Sequence, residues 1–218
     1  MFEGKKVLVT AGPTWSAVDR VRVMTSIFSG ETGLRFARHF KNLGADVSLL
    51  MGPGRAKFTP EDWTEMTVKQ FWYYDDLAEL IETEFDESSY DIVIHSSAVS
   101  DYKIKNASNG KTPSGKNDLA IPLEPTAKLV DRIREKAPEA FLVKFKLQVG
   151  LTKEELYDIA FNSLKTSNAN LIVANDLDHM DGENHVAYVI DPDGQSQEAR
   201  TKVEMCDLLA NEISKRLN

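Results

Sequence analysis

A single cysteine, Cys206, stands among 218 residues, so the chain cannot close a disulfide on itself and suits a reducing compartment. It falls in "KVEMCDLLANEI", a helical pattern in which a small thiol packs into a core. Long apolar runs are missing as well. None approaches the about 18 residues of a membrane span, and no signal-peptide pattern opens the chain. Nor is there a surplus of positive charge: 26 Lys and Arg face 34 Asp and Glu, for a net charge of −8. That balance disfavours broad binding to nucleic acid or anionic membranes. These exclusions predict a cytoplasmic protein with neither nucleic acid nor membrane as a partner. With no repeat or low-complexity tract, one well-buried domain is expected over 1–218.

Several nucleotide and metal signatures are also lacking. "AGPTWSAVDRV" follows the first apolar run with no G-x-G-x-x-G, and no G-K-[ST] follows the later glycines. Tyr102 has Asn106, not lysine, four residues on, which removes the Tyr-x-x-x-Lys pair of a nicotinamide-dependent reductase. His179 and His185, near Asp176, Asp178 and Asp181, have no partner at ligand spacing. That stretch reads as a polar loop, and no protein-held metal site is expected.

What is present is an alternation of β-branched runs and helical patterns. Strands are predicted at 5–11, 45–51, 66–70, 91–97, 141–146, 170–175 and 185–190, and helices near 32–43, 75–84, 126–136, 152–166 and 202–216. Phe36, Phe40 and Leu43 recur at i, i+4, i+7 beside Ala37, the buried stripe of a helix. Near-continuous apolar strands between helices imply a doubly wound, mostly parallel, Rossmann-like α/β sheet with helices on both faces. Ligands of such a sheet sit at the carboxyl ends of its strands.

Those ends are polar or small: "TAGPT" (10–14), "HSSAVSDY" (95–102), "KFK" (144–146) and "ANDLDHM" (174–180). "VRVMTSIFSGETG" (21–33) places Gly30 and Gly33 among hydroxyls just before a helix, the make-up of an anion-binding turn. Glu31 puts a carboxylate where the anion belongs. Asp101 reads as a cap or as an acceptor for ribose hydroxyls or a base, and Phe145 as core or as a stacking surface. Residues 103–117 carry four lysines and no acid. They read as a solvated loop or as a basic flap that closes over an anion.

Taken in order, "VLVTAGPT", "DRVR" (19–22), "SGETG", "GADVSLLMGP" (44–53), "AVSDY" (98–102), Lys111, "VKFK" and "ANLIVAND" (169–176) resemble the phosphopantothenate–cysteine ligases of coenzyme A biosynthesis. The resemblance covers nearly the whole chain and implies a stand-alone ligase domain without the fused flavin decarboxylase of many bacterial relatives. It implies activation of the 4′-phosphopantothenate carboxylate by CTP or ATP with Mg²⁺, loss of pyrophosphate, and attack of cysteine on the acyl-nucleotidylate. It further implies a homodimer, with a separate flavin-dependent decarboxylase as a partner. By position, Gly12, Ser29, Gly30 and Gly33 would line the phosphates, Ala98 and Asp101 would contact the nucleoside, and Phe145 would pack beside it. Lys111 would be the catalytic flap lysine, and Arg22 would hold the substrate phosphate. Relatives carry an Asn, which can donate and accept at once, where this chain has Ser26 in the catalytic position. Pro13, Phe28 and Glu31 are further departures. They leave a second reading open, a degenerate homologue that binds a nucleotide or pantothenate derivative without full ligase activity.

Overall fold

The computed structural model describes residues 1–113, 115 and 118–217. The apolar first run becomes β1 (Lys6–Ala11), buried from Val7 onward. A small ribbon, β2 (Ser16–Asp19) and β3 (Arg22–Met24), leads into α1 (Glu31–Asn42) and then β4 (Asp46–Met51). Next come α2 (Pro60–Glu65), β5 (Thr67–Gln70), α3 (Tyr74–Glu87) and β6 (Ile92–His95). A second ribbon, β7 (Tyr102–Ile104) with β8 (Leu123–Pro125), precedes α4 (Leu129–Lys136), β9 (Phe141–Gln148) and α5 (Lys153–Thr166). The chain ends with β10 (Leu171–Asp181), β11 (Asn184–Ile190), β12 (Ser196–Thr201) and α6 (Lys202–Leu217).

Eight strands form one sheet in the order β12-β11-β10-β9-β6-β1-β4-β5. Pairing is parallel from β5 to β10 and antiparallel through β11 and β12. The expected doubly wound α/β architecture is therefore present. The chain leaves β1 toward β4 on one side and returns to β6 on the other, so the topological switch lies at the end of β1.

Side-chain alternation divides the core. Val7, Val9, Val143 and Val173 face α1 and α6, while Leu8, Val93 and Leu142 face the side of α3 and α4. On that second side α5 covers Ile172 and Ala174 of β10. In α1, Leu34, Phe36, Ala37 and Phe40 are buried, and each phenylalanine contributes about 2 kcal/mol of hydrophobic stabilisation. The helix stops at Gly44, whose φ of 95° lets the Ala45 N–H reach back to Phe40 O. Cys206 in α6 is buried among apolar neighbours, as its pattern predicts.

Two expectations need correction. The predicted helix at 126–136 begins only at Leu129, because Thr126 is tied to the second ribbon through its N–H to Asp101 O and its Oγ1 to Ser100 O. "ANDLDHM" is not a loop: β10 runs through it with a register break between Asn175 and Met180. Asp176 is buried there and accepts from the N–H groups of Gly150, Leu151 and Asp178, so it clamps the turn after β9.

Candidate functional site

Glycine controls how closely the loops at the switch point approach. Gly30 caps α1 at φ 85°, a left-handed conformation that costs other residues energy. A Cβ on Gly33 would lie 2.3 Å from Ala11 Cβ and 2.6 Å from Ser96 Oγ, so only glycine lets the first turn of α1 rest on β1 and the end of β6. The Leu34 N–H returns to Gly30 O, and the Glu31 N–H is met by Ser29 Oγ at 3.3 Å. The first turn of α1 is thus held open toward the strand ends.

Above those ends is a cavity of about 550 Å³. The seven positions assigned by resemblance to the nucleotide all border it: Gly12, Ser29, Gly30, Gly33, Ala98, Asp101 and Phe145. Phe145 packs on Phe36 with ring centroids 5.5 Å apart, as the core reading expects, and also lines the cavity. Asp101 is paired with Lys128. Glu31 also borders the cavity, but its carboxylate lies 3.4 Å from Arg35 Nε, and Arg35 in turn bonds Glu183 at 2.6 Å. A neighbouring guanidinium therefore offsets the charge that looked out of place in the glycine loop.

Sequence reasoning missed several wall residues. Lys128, Lys144, Lys146 and Lys202 border the same cavity, where four cations face the two carboxylates of Glu31 and Asp101. Lys144 Nζ is held by Ser163 O and Oγ and by Ser167 Oγ, and burial lowers its pKa. His95 Nδ1 lies 2.8 Å from Thr10 Oγ1, and burial, with Lys144 adding repulsion, brings its pKa down to about 4. It is therefore neutral at pH 7. His95, Lys144 and Lys146 lie in strand ends whose polarity the sequence showed, whereas Lys128 and Lys202, at the starts of α4 and α6, carried no such signal.

A second cavity, about 560 Å³, lies on the other side of the 25–29 loop among Trp15, Arg55, Phe71 and Trp72. Ser26 borders this one, and its Oγ is buried with no hydrogen-bond partner among the described residues. Phe28 and Ser29 belong to both walls, so the two cavities meet at them. Gly54 fixes the junction, since a Cβ there would lie 2.2 Å from Ser29 O.

Arg22 and Lys111 border neither cavity. The Arg22 guanidinium grips the buried Asp19, with Nε at 3.0 Å, and donates from Nη2 to Thr112 O. Asp19 also accepts from the Thr112 N–H at 2.9 Å, while Gly110 O accepts from the Arg20 N–H. The Arg22 guanidinium, then the Thr112 amide, holds the Asp19 carboxyl far below the usual carboxylate range. Lys111 is therefore exposed on a segment pinned at both neighbours to the first ribbon. Of the proposed flap, 103–117, Ser114, Lys116 and Asn117 lie outside the described residues.

Residues 2–217 match the family described as DNA/pantothenate metabolism flavoprotein C-terminal domain. The chain is similar to the coenzyme A biosynthesis bifunctional protein CoaBC of Thermococcus kodakarensis, at 36% identity over 217 residues, 99% of this chain and 52% of that protein. It spans about half the length of the first curated relatives it matches. Among solved structures, the DNA/pantothenate metabolism flavoprotein from Streptococcus pneumoniae superposes with a TM-score of 0.86 at 27% identity, covering 98% of this chain and 100% of that one. The C-terminal domain of a coenzyme A biosynthesis bifunctional protein CoaBC gives 0.80 at 28% identity, covering 99% and 97%.

Proposed function

We propose a function from one premise: the chain belongs to the DNA/pantothenate metabolism flavoprotein C-terminal domain family. The reading is ligation of 4′-phosphopantothenate to cysteine, driven by CTP or ATP, in the cytoplasm. The observation that carries it is the junction of two cavities at Phe28 and Ser29. A two-step transfer needs a place for an activating nucleotide beside a place for the acyl group.

In the strand-end cavity, the first-turn N–H groups of α1 and the lysines would receive the triphosphate. A substrate carboxylate oxygen, entering from the Ser26 side, forms a bond to the α-phosphorus while the bond to pyrophosphate breaks, and pyrophosphate leaves with the electron pair. The cysteine amine then attacks the acyl carbon and gives up a proton, and the nucleoside monophosphate departs. Ser26 Oγ, without a partner among the described residues, would bond the acyl oxygen or the incoming amine. Among the described residues no group of three or more His, Cys, Asp or Glu could cage a metal. Mg²⁺ would therefore arrive on the nucleotide phosphates, where it neutralises charge.

Lys111 would stabilise the transferring phosphoryl group, and Arg22 would hold the phosphate of the pantothenate. Both lie outside the cavities of their own chain, Arg22 on the first ribbon and Lys111 in the β7–β8 connection, and Val21, Met24, Tyr102 and Leu123 of the two ribbons are exposed. A homodimer pairing these ribbons would cover that apolar surface and carry Lys111 to the partner's site. A flavin-dependent decarboxylase would take the product.

Pyrophosphate release with each of the four nucleoside triphosphates, with and without cysteine, tests the reading. Release that depends on 4′-phosphopantothenate is expected with CTP or ATP. Nucleotide binding without release under any condition would replace the ligase with a binding homologue.

A further inference from the structure

The wall of the second cavity is nearly without charge. The rings of Trp15, Phe58, Phe71 and Trp72 and the thioether of Met51 line it, together with hydroxyls of the 25–29 loop. Among the described residues no Asp or Glu borders it, and Arg55 is its single charged side chain. The chain carries 34 acids against 26 bases, yet Arg55 makes no ion pair or side-chain hydrogen bond among the described residues.

The backbone on either side fixes where Arg55 stands. A Cβ on Gly54 would lie 2.2 Å from Ser29 O, and the Ala56 N–H donates to that same oxygen at 3.1 Å. Arg55 is thus carried between two contacts with Ser29, a residue at which the two cavities meet. It borders the second cavity and not the first, which sets it apart from the triphosphate proposed for the strand ends.

A guanidinium with no protein partner, in a wall without acids, suits an oxyanion. The carboxylate under activation loses its charge in the first step. The phosphate of 4′-phosphopantothenate sits at the opposite end of that molecule, so it lies away from the junction whenever the carboxylate is in it. The α-carboxylate of cysteine has the reverse geometry: a single carbon separates it from the amine that must reach the acyl carbon. Holding that carboxylate beside the junction therefore aims the amine. The soft thiol of the same molecule suits the aromatic rings around it.

We infer that Arg55 selects the acceptor: its guanidinium takes the α-carboxylate of cysteine in a two-pronged hydrogen bond and directs the amine to the junction at Phe28 and Ser29. The nitrogen–carbon bond forms as the acyl–phosphate bond breaks, the amine gives up a proton, and the nucleoside monophosphate leaves with the electron pair. Arg55 only positions the acceptor. The assignment rests on the ligase reading, so acceptor binding is measured apart from turnover.

Its test compares cysteine with cysteamine, which has the same amine and thiol but no carboxylate. Amide formation and pyrophosphate release are measured on wild type, Arg55→Gln, Arg55→Lys and Lys57→Gln, with binding of each acceptor followed by NMR. Wild type should prefer cysteine. Arg55→Gln should raise KM for cysteine by about 10-fold or more and leave KM for cysteamine and for 4′-phosphopantothenate unchanged. Arg55→Lys, which keeps the charge without the fork, should keep part of the preference. Lys57→Gln, whose side chain borders neither cavity, should match wild type.

Equal losses with cysteine and cysteamine, a rise confined to KM for 4′-phosphopantothenate, no change at all, or a wild type indifferent to the carboxylate would each overturn the assignment. A wild type that releases no pyrophosphate but binds cysteine over cysteamine, with that preference lost in Arg55→Gln, upholds Arg55 while the ligase reading fails. A wild type that neither ligates nor binds cysteine overturns both.

Discussion

The strand ends and the ribbons both carry residues assigned to the site, but they are held in different ways. At the strand ends, parallel ladders and glycine contacts fix backbone against backbone, and seven assigned positions surround one cavity within a single chain. On the ribbons, one buried carboxylate, Asp19, gathers Arg22 and Thr112, while apolar side chains stay exposed. The lesson is that the strand-end cavity is closed within one chain, whereas the ribbons leave apolar surface uncovered.

The sharpest way to break this comparison is at Gly33. Gly33→Val pushes a branched side chain into Ala11 and Ser96, a clash with little room to relax. We expect a loss of about 2–3 kcal/mol of stability and of measurable triphosphate binding. Thermal unfolding and calorimetry check both, and unchanged binding would mean that the first turn of α1 does not hold phosphate.

A smaller effect is expected on the ribbons. Lys111→Ala should slow carboxylate activation by about 10²-fold, roughly 3 kcal/mol, without altering fold stability. Lys103→Ala, whose ammonium faces Glu124 at 3.9 Å, should do much less. Mixing Lys111→Ala protomers with protomers disabled at Gly33 should restore part of the activity if Lys111 acts on the partner's cavity. Equal losses for the two lysines would point to diffuse attraction instead.

The smallest effect concerns Glu31. Because Arg35 already offsets its charge, Glu31→Gln should tighten nucleotide binding by no more than about 1 kcal/mol. Arg35→Ala, which frees the carboxylate, should weaken binding instead. Titrations of both at low salt read the two signs, and a large gain from Glu31→Gln would show that the pair does not form in solution.

Much of this architecture was legible wherever packing writes a period into the chain. Phe36, Ala37 and Phe40 announced α1, and "VLV" and "IVI" announced β1 and β6, because buried faces leave little choice of residue. β12 was not legible: in "SQEART" only Ala199 is buried, so an edge strand carries no alternation. The ribbons were hidden for a similar reason, being short and tied through Ser16, Asp19 and Thr126 rather than through a core. In the site, glycines at a helix start are readable because their conformational need is local. Lys128 and Lys202 were not, because their meaning comes from neighbours on other elements. Glu31 read in isolation was misleading too, since its Arg35 partner lies a helical turn away.

Cys206 has a practical consequence. Burial raises its thiol pKa to about 12, so the folded chain offers no thiolate to an alkylating reagent near neutral pH. The native protein is thus a silent background for site-directed labelling. A cysteine introduced on either ribbon could carry a fluorophore or spin label alone, and the rate at which Cys206 itself becomes modified would clock how often the sheet and α6 come apart.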